Sequence, residues 1–420
     1  MQELRDFLEA SDNANFKKDF EASFLAALGS GIREFEDYSI KTLKDYVDWY
    51  EYLLGWVPSE QQDGKFVYRV LCLFYFVMNL SPLQLWTDPI EPATHSPYKW
   101  LSSWVIRYAK TIGTFMDTPD SITPYTLDTF RNCPSYHMED YPEPEGGWKT
   151  FNEFFARHID PAKRPIDSPN TNSVIVSPAD AVFDGALKVN GDAVVAIKGV
   201  PWPITELLDD ANSGTTSYGE LFKNGWFCHS FLGPHDYHRQ HAPVSGTVLE
   251  ARVIEGLCYL QVDVEEDKNG RRTIAPRRHL FGPRLAALPG DAGLNAPDEP
   301  GYQFIQARAL VLIETPDIGL VAVLPIGMAQ VSSVVLSVKA GEEVKKGDEL
   351  SYFQFGGSDI VMVFQERADV QFTAQDQVHY NFGQEVAVSG SGKVCTVLFT
   401  VGEARNCADT LLVLGSHRFP

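Results

Sequence analysis

Two glycines stand directly before a serine, Gly356, Gly357 and Ser358, at the head of an apolar run, FGGSDIVMVF over residues 355–364. Glycine reaches backbone angles that other residues reach only at a cost. A Gly-Gly turn can therefore bring a serine hydroxyl against the carbonyl carbon of the residue before it. An N→O acyl shift would turn the Gly357–Ser358 amide into an ester, and β-elimination would then leave a dehydroalanine that hydrolyses to a pyruvoyl group. The same tripeptide also makes ordinary hairpin turns, and alone it does not choose between the two. A second segment, FLGPHDYHRQHAPVSG over residues 231–246, sets His235, His238 and His241 three residues apart. Histidine titrates near neutral pH, which suits a general base. A transition-metal site is the alternative. No cysteine or carboxylate stands at a known zinc spacing, so no metal is expected, and a structural role stays open for any one of the three. A third segment, VSPADAVFDG over residues 176–185, carries Asp180 and Asp184. Either is an ordinary turn former or the acid that orients a histidine in a triad.

These segments lie in a chain of 420 residues, long enough for two or three domains. Helical spacing of apolar residues covers residues 1–10, 15–28, 40–54 and 66–78, with Ser39 and nearby acidic residues as helix starts. The Pro/Glu/Gly-rich stretch YPEPEGG, residues 141–147, ends this region as a linker, and residues 148–157 read as an amphipathic turn or short helix. From about Val174 short β-branched runs alternate with Gly, Pro and Asp turns: VIVS, AVVAIKG, GTVLEARVIEG, ALVLIET, LVAVLPIG, QVSSVVLSV, SDIVMVFQ and KVCTVLFTVG. The expectation is an α+β chain. A helical N-terminal domain (1–145) precedes a mainly β catalytic domain (146–420), a sandwich or distorted barrel. VKAGEEVKKGDEL, residues 338–350, resembles a biotinyl/lipoyl-type turn, without a lysine placed as an acceptor. The polar Pro/Gly-rich loop 265–300 reads as an active-site cover or an insert.

A formal net charge of −21, from 35 basic and 56 acidic residues, repels nucleic acid and anionic lipid. Neither a nucleic-acid partner nor stable membrane insertion is expected. The start MQELRDFLEA has no basic or apolar leader region, and Arg69 and Asn79 interrupt the longest apolar stretch, residues 66–80. Six scattered cysteines without CxxC spacing read as reduced thiols in the cytoplasm.

Taken together and in order, the motifs resemble the phosphatidylserine decarboxylase family. FNEFFARHIDPAKRPID (151–167) looks like its opening motif, SPAD (177–180) its aspartate motif, and IKGVPWPITELL (197–208) the segment after that. DYHRQHAP (236–243) with Gly246 looks like its histidine motif, the most specific match, and Gly356–Gly357–Ser358 falls at its self-cleavage serine. The helical start is similar to the extra domain of a soluble branch that includes a fungal L-tryptophan decarboxylase.

The resemblance implies a proenzyme cut between Gly357 and Ser358 into a large chain (1–357) and a small chain (358–420), with Ser358 becoming a covalent pyruvoyl cofactor. His241 matches the family's catalytic base, Asp180 the acid that orients it, and His238 a substrate-pocket histidine. During decarboxylation a Schiff base forms between substrate amine and pyruvoyl ketone, and His241, then His238, are the candidate proton donors. The resemblance also suggests a homodimer. The implied substrate is a soluble L-amino acid, an aromatic one included. The alternatives are phosphatidylserine, or an uncleaved non-enzymatic binding module; a metal-dependent hydrolase built on the three histidines is a further reading. Three departures stand out. Asp359 replaces the usual Ser or Thr after the cleavage serine, Ala181 follows the motif aspartate where Gly is common, and residues 391–420 run past the usual end.

Overall fold

The computed structural model describes residues 1–209, 217–278, 280, 300–329, 334–355 and 357–390. Gly356, the segment 281–299 and the tail 391–420, with Cys395, Cys407 and the expected strand KVCTVLFTVG, lie outside the described residues. The rest is α+β, helical first and then built from mostly antiparallel strands.

The helices Gln2–Glu9, Ala14–Gly29, Leu43–Leu53 and Phe66–Phe76 follow the expected periodicity, and a further long helix, Trp100–Met116, packs with them. Ser39 does not start a helix; it has φ 55°. Thr42 caps the helix instead, because its hydroxyl accepts from Asp45 N (3.2 Å) while the Asp45 carboxylate accepts from Thr42 N (2.9 Å). This reciprocal box satisfies two amide donors at once. The short helix Phe151–Phe155 is capped in a related way, with Thr150 Oγ1 accepting from Glu153 N at 3.1 Å.

Among the described residues the largest sheet has eight strands. In spatial order they are Glu343–Val344, Gly246–Ile254, Arg308–Thr315, Gly319–Met328, Gly357–Phe364, Trp226–Leu232, Ala181–Lys188 and Val378–Tyr380. The serine strand, Gly357–Phe364, is central. Ser358 stands opposite Gly327 on one side and Leu232 on the other. Side chains alternate along a strand, and here both faces are buried. Ile360, Met362 and Phe364 enter one apolar cluster, while Val361 and Val363 enter another that runs from Leu4 of the helical region through the strands. Helices and sheet thus share a core, and Asp359 has the parity of the shared face.

A β-bulge interrupts the pairing of Ala181–Lys188 with Trp226–Leu232 between Phe183 and Gly185. Asp184 is the extra residue, and Gly185 takes φ 142°, a conformation that a side chain would disfavour. A bulge re-aims a side chain locally, and this one turns Asp184 into the interior.

Candidate active site

The Ser358 hydroxyl is fully buried and lies 3.3 Å from His238 Nδ1. His238 Nε2 lies 3.4 Å from the Pro234 carbonyl. A carbonyl only accepts, so that network assigns the ring proton to Nε2 and leaves the Nδ1 lone pair facing the serine. Backbone contacts fix the histidine, whose carbonyl accepts from Phe353 N at 2.9 Å. Its ring stacks on Phe155, 3.9 Å between centroids and 21° between planes. The short helix that carries Phe155 also supplies Asn152, whose Oδ1 accepts from Phe355 N at 2.9 Å. One helix therefore braces both His238 and the backbone leading into Gly357–Ser358. Burial drives the His238 pKa down to about 3. The ring stays neutral, so if it is the base for a cleavage at Ser358, that cleavage is expected to hold its rate between pH 8 and 5, where an ordinary imidazole base would lose activity by protonation. Following cleavage of freshly synthesised chain across that range checks this; a rate falling about tenfold per unit below pH 6.5 would contradict it.

Asp180 and His241 are placed differently. Asp180 is buried and bound by Arg164, with Nε at 3.1 and 3.0 Å and Nη2 at 2.5 Å. Burial outweighs that partner and leaves its pKa above the ordinary value. His241 Nδ1 faces the Gly347 carbonyl at 2.7 Å and its Nε2 faces the Tyr237 hydroxyl at 3.1 Å. Both ring nitrogens are thus taken by groups other than Asp180 and Ser358. The two residues meet through Phe382: its ring stacks on His241 at 3.8 Å and 5°, and its N–H donates to Asp180 Oδ1 at 2.8 Å. Burial lowers the His241 pKa to about 4. His235 lies apart, its Nδ1 buried without a partner and its Nε2 3.8 Å from Asp236. The structure brings Ser358 and His238 together; it does not bring Asp180, His241 and Ser358 into one hydrogen-bonded chain.

On the face opposite the serine hydroxyl lies a buried charge network that the motifs did not reveal. His229 Nδ1 is 3.0 Å from Asp184 Oδ2, and His229 Nε2 is 3.4 Å from Asp359 Oδ2. Arg278 pairs with Asp359 and donates to the Ser358 carbonyl. Gln377 and the Leu280 N–H complete the Asp184 carboxylate at 2.7 and 2.8 Å. Burial opposes the His229 charge, yet Asp359 and Asp184 outweigh it and raise its pKa to about 9. Burial likewise opposes the Asp359 charge, and Arg278 with His229 holds its pKa below the ordinary value. The sequence signals were a lone histidine in the apolar strand WFCHSFL and an arginine pair in a polar loop. Each has an unremarkable reading until the bulge and the strand register bring them together.

Tyr68 joins this network to open space. Arg278 Nη1 donates to its hydroxyl at 2.6 Å. Tyr68 also lines a cavity of about 580 Å³ between the helix Phe66–Phe76 and the hairpin Gln261–Glu266/Arg272–Arg277. Its walls carry both signs of charge, from Lys65, Arg69 and Lys268 and from Asp63, Glu265 and Asp267.

The family model for phosphatidylserine decarboxylase matches residues 151–388, more than half of the chain. The chain belongs to the phosphatidylserine decarboxylase family. It is 32% identical over 231 residues to phosphatidylserine decarboxylase proenzyme 3 of Schizosaccharomyces pombe, covering 54% of this chain and 20% of that one. It is 31% identical over 238 residues to decarboxylase iboD of Amanita muscaria, covering 55% and 63%. A phosphatidylserine decarboxylase proenzyme of Fusobacterium nucleatum is 27% identical over 268 residues, covering 64% and 74%. The chain thus spans less than two thirds of the fungal relatives. The family segment contains Asp180, His238, His241 and Ser358 and also His229, Arg278 and Asp359, while the helices before Phe151 lie outside it. Among the described residues no helix is long and apolar enough to cross a membrane.

Proposed function

We propose that the chain is a proenzyme that cuts itself between Gly357 and Ser358 and matures into a pyruvoyl-dependent decarboxylase, a carboxy-lyase. The observation that carries this reading is the buried Ser358 hydroxyl against a neutral, tautomer-fixed His238 at the start of a central strand. His238 takes the hydroxyl proton, Ser358 Oγ attacks the Gly357 carbonyl carbon, and the proton passes to the departing amine as the C–N bond breaks. An ester remains. Loss of the Ser358 Cα proton then expels the Gly357 carboxylate, and water releases ammonia from the resulting dehydroalanine. Asp359 does not obstruct this course, because its carboxylate turns to the other face and is spent on Arg278 and His229. That arrangement favours a maturing enzyme over an uncleaved binding module. In this reading Asp180 and His241 are positioning residues that hold Phe382 from two sides.

The residues around position 358 suit the group that would form there. Its amide carbonyl is already held by Arg278, and among the described residues Arg278 Nε and Gln303 Oε1 are buried polar atoms with no partner. Such a group supplies a ketone that condenses with a substrate amine and accepts the electrons released as CO2 leaves. Arg278 would steady its carbonyl, and His238 is the buried base nearest to position 358.

For substrate we favour a free L-amino acid, aromatic ones included. The cavity beside Tyr68 is of small-molecule size, and walls of both charges suit a zwitterion. Phosphatidylserine is the second reading, supported by the names of the relatives. Matured protein is expected to release CO2 from at least one free amino acid. Release from phosphatidylserine vesicles alone would overturn the preference while leaving the decarboxylase reading in place.

A further inference from the structure

The transfer of the serine proton to His238 leaves Arg278 without a task in maturation, although among the described residues it is the most elaborately held cation beside the scissile bond. It is 3% exposed. Nη1 donates to the Leu232 carbonyl and to the Tyr68 hydroxyl, each at 2.6 Å, and Nη2 donates both to the Asp359 carboxylate and to the Ser358 carbonyl oxygen. Asp359 is in turn backed by His229 and Asp184. Desolvating a guanidinium is costly unless it is paired and hydrogen-bonded. Here four acceptors fix its position, and one of them is a carbonyl of the reacting residue.

We propose that Arg278 drives the elimination step of maturation by stabilising negative charge on the Ser358 carbonyl oxygen. This inference rests on the self-cleavage reading above. Attack of Oγ on Gly357 leaves the Ser358 carbonyl chemically unchanged, so Arg278 has little to offer the first step. Elimination differs. Removing the Cα proton to a base places an electron pair next to that carbonyl, which takes it up as an enolate. The pair then forms the Cα–Cβ double bond as the Cβ–Oγ bond breaks and the Gly357 carboxylate leaves with the Oγ electrons. A fixed cationic donor on the enolate oxygen lowers that barrier as an oxyanion-hole donor does. Asp359, His229 and Asp184 act through Arg278 as positioning residues.

The test separates the two steps. Full-length wild type, Arg278→Met and Arg278→Lys are made by cell-free synthesis and incubated with and without neutral hydroxylamine, and the products are read by intact mass. Hydroxylamine cleaves an ester but not an amide. Wild type is expected to give a keto-terminated small chain, read as its oxime where hydroxylamine is present. Arg278→Met is expected to accumulate the ester, with elimination slowed by roughly 10²–10³-fold, the usual cost of one such donor. Hydroxylamine then yields a large chain ending in a hydroxamate at Gly357 and a small chain that still begins with serine. Arg278→Lys keeps the charge and restores part of the rate. The inference is overturned if Arg278→Met matures at the wild-type rate, or if it stays folded, uncut and inert to hydroxylamine. Should the methionine variant fail to fold, Arg278→Lys decides: an ester lifetime equal to that of wild type would sink the proposal. An uncut wild type would remove the underlying reading instead.

Discussion

Replacing His238 by alanine is expected to slow cleavage at Gly357–Ser358 by roughly 10²–10⁴-fold, the range over which a positioned general base accelerates proton transfer. Among the described residues the serine hydroxyl has one histidine nitrogen within reach, at 3.3 Å, and the Pro234 carbonyl fixes that nitrogen as the acceptor. His241→Ala makes the informative comparison. Its ring is committed to Gly347, Tyr237 and Phe382, so its loss loosens the wall around Asp180 and slows cleavage far less. Time courses of newly made chain on denaturing gels would measure both. Equal rates for wild type and His238→Ala, or a larger loss for His241→Ala, would return the role of base to His241.

Asp359→Ala is expected to destabilise the uncut fold by about 3–5 kcal/mol, the cost of stranding a buried charge by removing its partner. Two cations are left behind, Arg278 and His229, both essentially without solvent. The measurement is urea unfolding in the Ser358→Ala background, which keeps the chain in one piece. Adding Arg278→Met should cost less than the sum of the single changes, since contacting residues are not additive. A loss below about 1 kcal/mol, the level of an exposed pair, would show that the network is not sealed from water. The same network makes a pH prediction of definite sign. The His229 pKa is raised in the fold to about 9 from an ordinary value near 6.5. Its contribution is therefore complete below pH 6.5, declines above it and is gone beyond about pH 9.

How far the sequence led is clearest residue by residue. The helices before residue 80 were legible because apolar residues repeat at three and four positions along amphipathic elements. The start at Thr42 was missed because Ser39 is an equally good capping residue by type, and only the reciprocal bond with Asp45 decides between them. Ser358 and the histidine segment were legible as an ordered motif set. Which of His238 and His241 meets the serine was not, since the answer lies in the pairing of Arg239–His241 with Glu349–Phe353, more than a hundred residues away. By sequence Asp184, like Asp180, is a turn former or an orienting acid. It gained its place through a bulge, an extra residue that leaves no mark in the alternation of a single strand. Arg278 was hidden for a related reason. It follows the strand Arg272–Arg277 inside the segment 265–300, whose composition reads as a solvent-facing loop, and its burial goes with a carboxylate at position 359 that departs from the motif.

The central claim is the cut itself, and intact-mass spectrometry of purified wild type beside Ser358→Ala tests it most directly. The account predicts a large chain ending at Gly357 and a small chain that begins at position 358 with a ketone in place of an amine and gains two hydrogens on borohydride treatment, while the variant stays whole. A wild type of a single uncut mass, or a cut elsewhere, would contradict it.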